Sequence, residues 1–114
     1  MSSPARTIDA LIRIYEASRD ELQGRLALNL PALNVTVQQM LDALEAVAGA
    51  KVRALVKFQR DERIAGIVAN WPKGVVTPRA AALGLAPDAD FESIIRLYID
   101  DCRRDNPAAL SGLN

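Results

Sequence analysis

Apolar positions recur along this chain with the period of a helix more often than with the alternation of a strand. Ile8, Leu11, Ile12 and Tyr15 fall at i, i+3, i+4 and i+7, which puts them on one helical face. Ser3 stands where an N-cap belongs. Pro4 follows at the first helical position, where its missing N–H costs nothing. Residues 18–23 read as a short turn ended by Gly24. The clearest helix begins at Thr36, which forms a T-x-x-Q capping box with Gln39. Val37, Met40, Leu41, Leu44, Val47 and Ala48 give its buried stripe, and Gly49 its end. Asp61 caps a third helix running to about Asn70, with Ile64, Ile67, Val68 and Trp71 on its face. Trp71-Pro72 breaks it. Thr77 caps a short helix from Pro78 to Leu83, stopped by Gly84. Asp90 caps the last long helix, whose inner face is Phe91, Ile94, Ile95, Tyr98 and Cys102.

Two apolar runs fit a strand better. Leu26–Leu30 is closed by Pro31, and Val52–Phe58 follows the second helix. The expected class is therefore α+β: a small, mostly helical subdomain with two short strands. A two-stranded sheet is marginal alone, so it would lean on the helices or on further polypeptide. Residues 1–104 form the expected folded unit, with residues 105–114 as a frayed tail.

Composition narrows the chemistry. The 114 residues suit one domain. Fourteen basic and fourteen acidic residues cancel and are interspersed, with no basic stripe for nucleic acid. No stretch approaches a membrane span and no leader-like apolar run opens the chain, so the expected location is the cytoplasm. There is no histidine, and the single cysteine, Cys102, cannot close an internal disulfide. The glycines are scattered, with neither a G-x-G-x-x-G nor a P-loop. Tyr15 and Arg19 have the spacing of a Tyr-x-x-x-Lys pair but carry Arg, which stays protonated, so Tyr15 reads as core. Asp88 and Asp90 read as turn and N-cap chemistry, Cys102 as a buried small hydrophobe, and Trp71 as core in preference to a pocket wall. No catalytic residue, cofactor site or metal site is expected in these residues.

Arg6 is harder to absorb. A cation in the first turn opposes the helix dipole by about 0.3–1 kcal/mol. An anion such as a substrate carboxylate at that terminus would make sense of it. The bland alternative is a solvated side chain.

The run Leu28–Leu41, with its Asn-Leu-Pro, resembles the extended short-chain dehydrogenases of the D-erythronate dehydrogenase type, often labelled nucleoside-diphosphate-sugar epimerases. Ile64–Pro72, Thr77–Leu85 and Phe91–Ile99 are similar to the same family, as is the Ser3-Pro4-Ala5-Arg6 opening. The resemblance implies the C-terminal substrate-binding subdomain of such an enzyme, with NAD or NADP and the Ser, Tyr and Lys of hydride transfer on a Rossmann domain that is not in this sequence. It implies a sugar acid or nucleotide sugar as substrate, with Ser3 and Arg6 as the positions facing it. The expected function is thus a substrate-recognition fragment that is not catalytic alone. The alternative is a stand-alone protein-interaction or oligomerisation module. A homo-oligomer is expected in either case.

Overall fold

The computed structural model describes residues 1–24 and 27–111. Among the described residues six α-helices follow one another: α1 (Pro4–Glu16), α2 (Val37–Ala48), α3 (Ala50–Arg53), α4 (Glu62–Val68), α5 (Pro78–Ala82) and α6 (Phe91–Asp105). A 3-10 turn, Pro107–Leu110, closes the described chain and packs on α6.

Local chemistry sets most helix starts. The Ser3 hydroxyl accepts from the Arg6 N–H at 3.3 Å. Thr36 accepts from the Gln39 N–H at 3.2 Å, while Gln39 Oε1 accepts from the Thr36 N–H at 2.8 Å, a complete capping box. Asp61 accepts from the Arg63 and Ile64 N–H groups, and Asp90 from that of Ser93. Thr77 makes no such bond, so α5 starts on Pro78 alone.

Among the described residues there is no strand, and the α+β expectation is corrected to an all-α architecture. Of the first expected strand, Leu26 lies outside the described residues. Residues 27–30 carry no regular structure; Arg79 Nη1 donates to the Ala27 oxygen at 2.9 Å. Met1 and Leu33 do exchange two backbone bonds, of 2.6 and 2.7 Å, but the pairing goes no further. The second expected strand, Val52–Phe58, is part helix. Gly49, at φ 90°, bends the chain straight from α2 into α3, which takes Val52 and Arg53. Residues 56–58 then run on without a backbone partner strand.

Packing is concentrated at one place. Helix α2 lies against α6 and α3, and among the described residues no helix packs against α1, α4 or α5. Among the described residues, buried apolar side chains are few and mostly small: Ala10, Leu41, Ala43, Ala80, Leu83 and Cys102. The α1 stripe of Ile8, Leu11, Ile12 and Tyr15 faces outward, with Tyr15 91% exposed, which corrects its reading as core. Trp71 is likewise exposed, which corrects its reading as core.

The molecule is flat, 50 × 38 × 19 Å, with a radius of gyration of 17.3 Å. A compact domain of this length would measure about 13 Å. It exposes 8778 Å². A compact monomer of this mass exposes about 6,100 Å². The excess of roughly 2,600 Å² is larger than the roughly 800 Å² that one partner contributes to a standard protein interface. An apolar stripe with the right period and no partner is surface suited to burial against another body.

Candidate functional site

Helix α1 is a wall with two different sides. Ile8, Leu11, Ile12 and Tyr15 point away from the chain, whereas Arg6, Asp9, Ala10 and Arg13, on the other side, line a cavity of about 260 Å³. Leu30 and Pro31 form a second edge of that cavity, and the segment after α5, residues 83–86, forms the third. The cavity therefore has a charged wall from α1 and an apolar wall from Leu30, Pro31, Leu83 and Leu85.

Ser3 is completely buried, and it does not reach this cavity. Its hydroxyl donates to Asp88 Oδ1 at 2.6 Å and its N–H donates to Asp88 Oδ2 at 2.8 Å, across 85 residues of sequence. Asp88 is itself only 4% exposed. A buried carboxylate demands donors, and Ser3 supplies two of them from one residue. This also corrects the reading of Asp88 as turn chemistry: Asp90 alone caps α6, while Asp88 joins the two ends of the chain.

Arg6 does line the cavity, with its side chain about half exposed, 47%. Its Nε lies 4.0 Å from Asp88 Oδ1. The cation in the first turn thus has a counter-charge, which offsets the dipole term. No hydrogen bond of the Arg6 guanidinium is made among the described residues, so its terminal nitrogens are the donors left for a ligand.

Arg13, two turns further on and on the same side, is already engaged. Its Nε donates to the Leu83 oxygen at the end of α5 at 3.0 Å, and its Nη2 pairs with Glu21 at 3.0 Å. Glu21 in turn makes a reciprocal capping box with Ser18. The Ser18 N–H, and then Arg13, hold the Glu21 carboxyl below its ordinary value. Because the folded value is depressed, any stabilisation from this pair is present above the ordinary carboxylate range and lost as the pH falls through the lowered one. At neutral pH the pair fixes the far end of the cavity wall. Sequence reasoning missed Arg13, although its seven-residue spacing from Arg6 on one helix was the signal for a shared face.

The described residues contain no βαβ unit, the element that seats a dinucleotide's pyrophosphate at a helix N-terminus. No group of three or more metal-ligating side chains occurs among the described residues either. No helix there is long and apolar enough to cross a membrane.

No family model matches the chain. Its architecture recurs within a larger solved protein, the nucleoside-diphosphate-sugar epimerase of Agrobacterium tumefaciens, with a TM-score of 0.81 and 31% identity over 88% of this chain and 29% of that one. The polypeptide thus corresponds to a segment of a dehydrogenase/epimerase-type protein. Among curated relatives, the D-erythronate dehydrogenase of Cupriavidus necator is 39% identical over 99 residues, and that of Haemophilus influenzae is 35% identical over 100. These matches take in 87% and 88% of this chain. The chain spans about a third of the length of the curated relatives it matches, 31% and 32%. It matches a part of the D-erythronate dehydrogenase and nucleoside-diphosphate-sugar epimerase family.

Proposed function

We propose that this chain is the substrate-recognition segment of an NAD(P)-dependent dehydrogenase or epimerase acting on a small sugar acid or a nucleotide sugar, and that it does not catalyse alone. The observation carrying this reading is the 39% identity to D-erythronate dehydrogenase along 87% of the chain. The open architecture supports it, because a segment that closes against a larger body must leave apolar surface for that body. The dinucleotide and the hydride-transfer groups belong to the rest of such a protein. What this chain contributes is one wall of the substrate site. Arg6 offers a charge-assisted contact to a carboxylate, Arg13 and Glu21 keep the wall rigid, and the apolar edge of the cavity excludes water beside the carbon chain.

A domain swap tests this. The matched segment of the Cupriavidus necator enzyme is replaced by the corresponding residues of this chain. The hybrid should keep its dinucleotide affinity and change its ranking of sugar acids. A hybrid that folds, binds dinucleotide and keeps the parental ranking would overturn substrate recognition as the role. In the same experiment the isolated chain should show no heat of binding with NAD or NADP, and micromolar binding to either would sink the reading.

The exposed α1 stripe also suits a stand-alone interaction module, and both readings place a second copy or another partner on it. The isolated chain should therefore self-associate. Sedimentation velocity across a hundredfold concentration range should show a rising weight-average mass. Replacing Leu11 and Tyr15 with serine should return it to monomer. A wild-type chain that stays monomeric and binds no apolar-surface dye would remove both the oligomer and the docking role of the stripe.

A further inference from the structure

We propose that Asp88 is a positioning residue of the candidate cavity, holding the Arg6 guanidinium in place from behind while never touching the ligand itself. The inference rests on the reading of Arg6 as the anion-binding group.

Asp88 does not line the cavity, yet Arg6 is referred to it twice. The backbone N–H of Arg6 donates to the Ser3 hydroxyl at 3.3 Å, and that hydroxyl donates to Asp88 Oδ1 at 2.6 Å. The side chain of Arg6 approaches the same Oδ1 through Nε, at 4.0 Å. One buried oxygen therefore sets both the helix turn that carries Arg6 and the direction of its guanidinium. The approach through Nε leaves the terminal nitrogens as the edge able to grip a carboxylate in a two-point contact.

Burial makes the arrangement stiff. Ser3 is wholly buried and the Asp88 side chain is 3% exposed, so neither can swing toward solvent without breaking paired polar groups. Arg6 is half exposed, and a long side chain in that setting samples many rotamers unless something holds it. A fixed negative charge at its root limits those rotamers before a ligand arrives, which is how a supporting group lowers the cost of binding. The same charge lies outside the cavity lining, so it can orient the cation without occupying the ligand position.

The test uses the 114-residue chain and nuclear magnetic resonance. In Asp88→Asn, which keeps size and can still accept the Ser3 N–H, the Arg6 Nε–Hε signal should move and its order should fall to that of a free surface arginine. Reciprocally, Arg6→Gln, a change at a half-exposed site, should move the Asp88 carboxyl carbon. Ser3→Ala, which cuts the backbone link and keeps the Asp88 charge, should lower stability and loosen the Arg6 Nε–Hε signal less than Asp88→Asn does, which separates positioning from general loosening. If the Arg6 signal ignores Asp88→Asn, or if Asp88→Asn fails to fold and Arg6→Gln leaves the Asp88 carbon unmoved, the proposal is overturned. Erythronate is then titrated into each variant. Asp88→Asn should weaken binding roughly three- to tenfold, and the effect should vanish when Arg6→Gln is also present. If Arg6→Gln leaves erythronate binding unchanged, the substrate reading of Arg6 fails. If Arg6→Gln weakens binding and Asp88→Asn weakens it equally with or without Arg6, Asp88 is purely structural.

Discussion

Asp88→Ala should be the most damaging single substitution in this chain. It leaves the Ser3 hydroxyl and N–H buried without acceptors and removes two hydrogen bonds to a charged group. Each such bond contributes about 1.5–3 kcal/mol, and an unsatisfied buried donor costs about 1–3 kcal/mol. A net loss of about 2–4 kcal/mol follows, since the two effects overlap. That is a large share of the roughly 5–15 kcal/mol that holds an ordinary domain together. In a melt followed by circular dichroism, Tm should fall by roughly 10 to 25 °C. Asp90→Ala, two residues away, removes only an N-cap and should cost about 0.5–2 kcal/mol. If the two variants melt together, the Ser3–Asp88 pair is not the joint described above.

The second large effect concerns Arg6. In the hybrid enzyme carrying this segment, Arg6→Ala should reduce kcat/KM for a sugar-acid substrate by roughly 10- to 150-fold, the equivalent of one charged hydrogen bond of about 1.5–3 kcal/mol. Dinucleotide affinity should hardly change, because the cofactor is expected on the other part of the protein. Folding stability should change little, for a half-exposed cation 4.0 Å from its counter-charge contributes little on its own. A variant that unfolds, or that folds and turns over normally, would take the substrate contact away from Arg6.

Sequence reasoning reached the helices because their starts are written in adjacent residues. The Thr36 and Gln39 box, Asp61 and Asp90 all act within three residues of themselves. It failed on the strands for a reason of the opposite kind. The contact that this segment makes is with Arg79, some fifty positions away, whose guanidinium reaches the Ala27 oxygen, and no local signal announces it. The period of Ile8, Leu11, Ile12 and Tyr15 announced an apolar face but not the body that covers it, and the described residues leave all four exposed. Trp71 follows the same logic. At the cavity, Arg6 was noticed because a first-turn cation conflicts with the helix dipole. Asp88, which answers that conflict, was invisible: a Pro-Asp-Ala-Asp run looks like turn and cap chemistry, and only the fold brings its first aspartate to Ser3.

The pairing of Ser3 with Asp88 closes a loop of 85 residues. Closing a loop of that length costs on the order of 4 kcal/mol of chain entropy. The caps of α2, α4 and α6 carry no comparable charge, since each closes within a single turn. Chain entropy therefore favours forming the joint after the helices. With α1 packed against no other helix among the described residues, the Arg13 contacts to Leu83 and Glu21 are its main remaining ties once the joint opens. Opening would then be a sparsely populated excursion in which α1 lifts off while α2 and α6 stay on each other, and native-state hydrogen exchange would sort the amides of α1 apart from those of α2 and α6. The cavity is thus on a separate thermodynamic footing from the small core that supports it.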